Sequence, residues 1–121
     1  MDGPTVRAVR GAIRVERDDA EAILAATGRL IEAVLERNAI EPGDIVSMFF
    51  TATDDLRAAF PAEAARRMGL GAAPLMCAQE IPVSGAMPGV VRLLMHFHTT
   101  RSQAEVRAAY LDGAETLRDD L

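Results

Sequence analysis

An α+β chain, built on a mixed β-sheet with helices on one face, is what three features of the sequence predict. Residues 18–38 carry one long helical stripe of apolar side chains. Four shorter stretches are rich in β-formers or alternate in polarity. The two kinds of segment follow one another without a strict βαβα rhythm, which leaves α+β or a small α/β as the class.

The bulk numbers narrow the setting. The chain has 121 residues, enough for one domain (1–121) with a single core. Half of the residues are hydrophobic but only 4% are aromatic, with no Trp, so Ala, Val, Leu, Ile and Met must fill the interior. The net charge of −5 and the lack of any basic block argue against nucleic acid or an anionic membrane as the main partner. The single cysteine, Cys77, excludes an intramolecular disulfide and fits a reducing compartment. No apolar run approaches the roughly 18 residues of a membrane span, and MDGPTVRAVR has no signal-peptide core. A soluble, cytoplasmic protein is expected.

Element by element, residues 5–15 (TVRAVRGAIRV) read as a strand with a bend or bulge at Gly11. Asp18 and Glu21 form a capping-box-like start to a helix that ends at Asn38. Its stripe is Ile23, Leu24, Thr27, Leu30, Ile31, Val34 and Leu35, at three- and four-residue spacings. EPGD is a turn, and residues 44–53 form a second strand, with Val46, Met48 and Phe50 on one face and Ser47, Phe49 and Thr51 on the other. Residues 53–60 suggest a short helix. Pro61 then opens another, PAEAARRMG, closed by Gly69. PLMCAQE (74–80) is a third strand, and residues 81–89 form a loop by their prolines and glycines. Residues 90–99 (VVRLLMHFHT) are the fourth strand. SQAE (102–105) is a capping box opening a further helix, after which residues 108–118 read as either helix or strand. Helices on one face leave the other face of the sheet to be covered, and oligomerisation is one common way to do so.

The functional reading starts at Arg92. It stands inside an apolar run with nothing acidic within seven residues on either side. Strand alternation puts Val91, Leu93, Met95 and Phe97 on the helix side, and Val90, Arg92, Leu94, His96 and His98 on the other. Taken alone, a rim arginine whose stem covers apolar surface is the plainer interpretation. A partly desolvated guanidinium without a carboxylate partner is the functional one, because it binds carboxylate or phosphate in a bidentate fork. Arg10 in the first strand is a second such candidate. Cys77 reads as a small buried hydrophobe, Glu80 as a strand-end carboxylate and Tyr110 as a core ring with a wet hydroxyl. His96 and His98 are spaced like metal ligands but lack a third ligand, so no metal is expected. There is no P-loop, no G-x-S-x-G and no paired catalytic carboxylate. Any chemistry must therefore run on positioning and charge.

Four stretches together carry a resemblance: RAVRGAIRVERDD, TATDDLRAAFPAEAAR, PLMCAQEIPVSGAMPGVVRLL and VRAAYLDGAETLRDDL. In order and spacing, nearly end to end, they resemble the AroH class of monofunctional chorismate mutases. RGAIRVE, the AFPA step, and CAQE with an arginine twelve residues after its glutamate carry the specificity. The resemblance implies a cofactor-free pericyclic rearrangement of chorismate to prephenate, in phenylalanine and tyrosine biosynthesis. It also implies a homotrimer with a pseudo-barrel β core, outer helices and an active site at each subunit interface. By position, Arg10 matches a substrate-carboxylate arginine. Phe60 and Ala62 line the pocket, and Arg66 sits at its mouth, supplied by the neighbouring subunit. Leu75, Met76 and Cys77 match the pocket strand, and Glu80 the acid that meets the substrate's ring hydroxyl. Arg92 matches the arginine at the ether oxygen and a carboxylate, and Tyr110 a carboxylate-binding phenol. Leu117 and Arg118 match the C-terminal segment that closes over the site. The segment holding Tyr110 is a strand by this resemblance.

Three positions depart from the family pattern. Glu63 stands where some members carry lysine, Met76 where some carry threonine, and Arg118 lacks the proline that often follows it. Two other classes of reading remain on the residues themselves. One is a trimeric enamine/imine deaminase-like enzyme with an interface arginine. The other is a non-catalytic regulatory module that binds a carboxylated metabolite.

Overall fold

The computed structural model describes residues 3–120, and side chains as far as Leu117. Five strands form one mixed sheet: β1 (Thr5–Arg14), β2 (Ile45–Ala52), β3 (Leu75–Gln79), β4 (Val90–Thr99) and β5 (Ala109–Leu111). Their spatial order is β3-β2-β4-β1-β5. The central strand β4 runs antiparallel to both β1 and β2, while β3 joins β2 and β5 joins β1 in parallel. Two α-helices, α1 (Ala20–Arg37) and α2 (Ala62–Arg67), complete the α+β architecture.

The helix α1 forms where its stripe predicts. Ile23, Leu30, Ile31 and Val34 are 0% exposed, and they meet Val9 and Ile13 of β1, Met48 and Phe50 of β2, and Val91, Leu93, Met95 and Phe97 of β4. Each such aliphatic side chain contributes about 1.5–3 kcal/mol by leaving water. Thr27, buried in the same stripe, donates its hydroxyl to the Ile23 carbonyl at 2.7 Å, so it adds no unmet polar group. The helix ends at buried Asn38. Its amide donates to the Val34 and Arg107 carbonyls at 2.9 Å each, and its Oδ1 accepts from the Arg107 N–H at 2.7 Å. One side chain thus caps α1 and fixes the chain entering β5.

Several sequence expectations are corrected. The N-cap of α1 is Asp19, whose carboxylate accepts from Ala22 N, and no Asp18–Glu21 box forms. Asp18 instead accepts from the backbone N–H groups of Arg57 and Ala58, at 2.7 and 2.8 Å. Those bonds hold residues 53–60 in turns, where a short helix was expected. β1 pairs with β4 without interruption through Gly11, so there is no bulge there. A Cβ at Gly11 would lie 2.9 Å from the Ala109 carbonyl oxygen and 3.0 Å from Leu30 Cδ1; the glycine allows close approach, not a bend. The bulge lies in β2, between Ile45 and Ser47, and it leaves Val46 exposed, off the face expected to be shared with Met48 and Phe50, which are buried. The Ser102–Glu105 capping box does form, but it starts only a 3₁₀ turn, Gln103–Glu105. Beyond β5, a 3₁₀ segment, Ala114–Asp120, folds back over the sheet.

Candidate active site

The face of the sheet turned away from α1 carries the candidate chemistry. Strand register sets Ala12 of β1 and Thr51 of β2 on either side of Arg92, and Tyr110 of β5 beside Ala12. Arg92 is two-thirds buried and Glu80 four-fifths buried, with Nε 2.9 Å from Glu80 Oε2. The Thr51 hydroxyl donates to the same Oε2 at 2.6 Å. Glu80 reaches this position because its own N–H donates to the Ala52 carbonyl at 2.9 Å, extending β3 one residue past its end. The expectation of an arginine without a carboxylate partner is therefore corrected: Glu80 supplies one from outside the local sequence. The pairing aims Arg92 and leaves its two terminal Nη groups without protein partners among the described residues.

Arg10, on β1 opposite Leu94, is exposed and has no carboxylate partner among the described residues. Arg10, Arg92, Thr51, Phe49 and Tyr110 together line an open cavity of about 260 Å³. At its far end Tyr110 packs on a small apolar cluster of Ala12, Val90, Ala114 and Leu117, joined by Met87. Leu117 is thus placed on the sheet next to the cavity, whereas the Arg118 side chain lies outside the described residues. The loop before β4 is held by Asp55, which accepts from the Gly89 N–H at 3.2 Å, while Val90 N donates to the Thr53 hydroxyl. The Thr53 hydroxyl, the largest influence, keeps the Asp55 carboxyl below the ordinary aspartate range; burial opposes it, and the Gly89 N–H adds to the lowering.

The remaining sequence candidates gather elsewhere. Leu75 and Cys77 alternate with Met76 along β3 and face the helices. The Cys77 sulfur accepts from the Ala62 N–H at 3.3 Å, at the start of α2. Phe60 is 74% exposed and lines a second cavity of about 380 Å³ with Cys77 and Pro61. That cavity shares no lining residue with the one around Arg92. Met76 projects on the Arg92 side and is 60% exposed. Arg66 is held by Glu63 at 3.2 Å, and Arg67 by the same carboxylate at 3.5 Å, so the departure at Glu63 offsets positive charge on α2. The candidates thus form two groups, Arg10, Glu80, Arg92 and Tyr110 in one, Phe60, Ala62 and Cys77 in the other.

His96 is half-buried and His98 exposed on β4. His96 Nδ1 lies 3.4 Å from the Ser47 hydroxyl, and its ring meets Phe49 edge-on at 6.0 Å. Among the described residues no group of three or more His, Cys, Asp or Glu side chains converges. No described helix is long and apolar enough to cross a membrane. Thr51 and Phe49 are site residues that sequence reasoning did not single out. Their signal is the register of β2 against β4, which a local pattern does not contain.

Residues 6–121 match the family described as chorismate mutase type I. The chorismate mutase AroH of Thermus thermophilus is 47% identical over 117 residues, covering 96% of each chain. That of Bacillus subtilis (strain 168) is 41% identical over 117 residues, 96% of this chain and 92% of its own. A solved chorismate mutase from Clostridium thermocellum superposes with a TM-score of 0.89 at 42% identity, covering 90% of this chain and 97% of that one.

Proposed function

This chain belongs to the chorismate mutase type I family and has that family's isomerase activity, and from that premise we propose how its residues turn chorismate into prephenate. The rearrangement is unimolecular. One C–O bond breaks while a C–C bond forms, and no proton moves, so neither a general base nor a nucleophile gains anything. Two demands remain: holding the enolpyruvyl arm over the ring, and stabilising the negative charge that grows on the ether oxygen.

Arg92 meets the second demand. With Nε held against Glu80, its Nη groups face the cavity, where one meets the ether oxygen and the other a carboxylate. Arg10 and Tyr110, lining the same cavity, take a carboxylate and so meet the first. Glu80 commits Oε2 to Arg92 and Thr51, which leaves Oε1 for the ring hydroxyl. Leu117 packs at the cavity's edge and serves as cover. The single observation that carries this reading is the Thr51–Glu80–Arg92 chain, which aims a two-thirds-buried side chain into an open cavity.

The active site is completed by a second copy of the chain in a homotrimer. Two observations support this. At about 260 Å³ the Arg92 cavity falls short of the roughly 300–1,000 Å³ of an enclosed ligand site. Around it Phe49, Met76 and Leu94 are 39, 60 and 36% exposed, an apolar surface that a soluble monomer rarely leaves bare. Phe60 and Cys77 of the neighbouring copy, which line its second cavity, supply the facing wall, with Arg66 at its mouth. The experiment pairs a chorismate-loss assay, with prephenate identified as product, and light scattering at micromolar concentration. Prephenate formed by a trimer supports the reading; turnover by a monomer removes the shared site, and chorismate left untouched removes the function.

A further inference from the structure

A larger groove, of about 790 Å³, adjoins the Arg92 cavity and shares Arg10, Leu94 and Tyr110 with it. Beyond those residues its wall carries Arg37, Arg107 and one carboxylate, Glu115. We infer that Arg37 and Arg107 form an anion-capture subsite, which takes up the dianionic substrate by a carboxylate and passes it along the groove to Arg10. This rests on the assignment of Arg10 and Tyr110 as carboxylate contacts of the rearrangement.

The two arginines are placed by the fold rather than by acids. Arg37, in the last turn of α1, donates from Nη1 to the Ala108 carbonyl at 3.1 Å, and its own carbonyl accepts from Arg101 Nη1 at 2.9 Å. Arg107 is gripped at its backbone N–H and carbonyl by buried Asn38, so the root of its side chain is fixed while its head is not. Neither arginine has a carboxylate partner among the described residues. Glu115 is occupied by the Gly113 N–H at 2.7 Å. Three guanidinium groups thus line a groove whose wall carries one carboxylate, while Glu105, near Arg107, is engaged by the Ser102 N–H at 2.8 Å.

The need for such a device follows from charge. A chain of net charge −5 repels a dianion at long range. The sequence has no lysine, so every permanently cationic side chain is an arginine and each free head is a fork for carboxylate. A cationic groove with low-dielectric walls concentrates anions and raises association rates by about 10- to 1,000-fold. The effect belongs to encounter and not to the bond-breaking step. Arg37 and Arg107 are therefore positioning residues that act ahead of Arg10 and Arg92.

Steady-state kinetics with chorismate, in low-salt buffer and again at about 0.5 M salt where the Debye length shrinks to a few ångströms, tests this. The variants are Arg107→Gln, Arg107→Lys, Arg37→Gln with Arg107→Gln, and Glu115→Gln. The double variant should lose about tenfold in kcat/KM at low salt, while kcat falls far less. Glu115→Gln should move kcat/KM the other way, and Arg107→Lys should keep most of it, because capture uses charge. All differences should shrink at high salt. Arg37 also braces Ala108, so Arg107→Gln alone guards against a folding artefact. Unchanged kcat/KM in Arg107→Gln at low salt would overturn the inference, as would a salt-independent fall shared by kcat, or a loss in Glu115→Gln. Failure of the wild type to rearrange chorismate would remove the parent reading along with this one; wild-type turnover with unaltered variants removes this one alone.

Discussion

The two faces of β4 obey opposite rules. On one, Val91, Leu93, Met95 and Phe97 are 0 to 2% exposed and pack into the apolar core. On the other, one residue out of step, Arg92 pairs with Glu80 and Leu94 and His98 are exposed. The helix face is complete within the chain. The other holds a cation paired with one carboxylate, an open cavity and exposed apolar side chains. A single strand can therefore separate stability from chemistry by alternation alone, because its side-chain period is two.

Substitutions on the two faces should separate in the same way. Phe97→Ala opens a void in the helix-side core and should cost about 3–5 kcal/mol of stability, measured by urea unfolding, with kcat per folded enzyme retained. A loss of kcat without a loss of stability would undo the division. Arg92→Ala should do the reverse. Removing a preorganised donor to developing charge costs about 10²–10³-fold in kcat, near 3–4 kcal/mol, and the thermal midpoint should fall by much less than for Phe97→Ala.

Two milder changes sharpen the comparison. Thr51→Val keeps the shape but removes the 2.6 Å hydrogen bond to Glu80. A hydrogen bond to a charged group is worth about 1.5–3 kcal/mol, so kcat/KM should fall about tenfold or more. An unaltered kcat/KM would mean that Glu80 aims Arg92 without help. The smallest effect concerns Asp55, which ties the loop before β4. Its folded pKa lies below the ordinary value, through the Thr53 hydroxyl first and the Gly89 N–H after it. The unfolded chain therefore binds more protons in the window below about pH 4. The stability that Asp55 contributes is present above that window and is lost as pH falls through the folded value. Stability curves of the wild type and Asp55→Asn should lie apart at neutral pH and converge in acid; curves that stay parallel would show that the tie does not titrate.

How much of this was readable in advance depended on the range of the interactions. The α1 stripe and the β4 alternation repeat within a few residues, so the sequence carries them openly. The turns at 53–60 do not, because the acceptor for Arg57 and Ala58 is Asp18, some forty residues earlier in the chain. Gly11 looked like a bend because a strand glycine usually marks one, yet its cause is Leu30 and the carbonyl of Ala109, both distant in sequence. Arg92 was conspicuous by its apolar neighbours. Its acid was hidden, since Glu80 reaches it only through the order β3-β2-β4. Thr51 needed the register itself. Resemblance to a known family assigned Glu80 and Arg92 to one pocket, which local pattern could not, but not their contact with each other.

The central claim is that Arg92 acts as a fork, spanning the ether oxygen and a carboxylate together, and not as a bare positive charge. Turnover of Arg92→Lys with chorismate tests it most directly. The ammonium keeps the charge but cannot span both groups, so kcat should remain close to that of Arg92→Ala, about 10²–10³-fold below the wild type. A lysine variant turning over at nearly the wild-type rate would contradict the account.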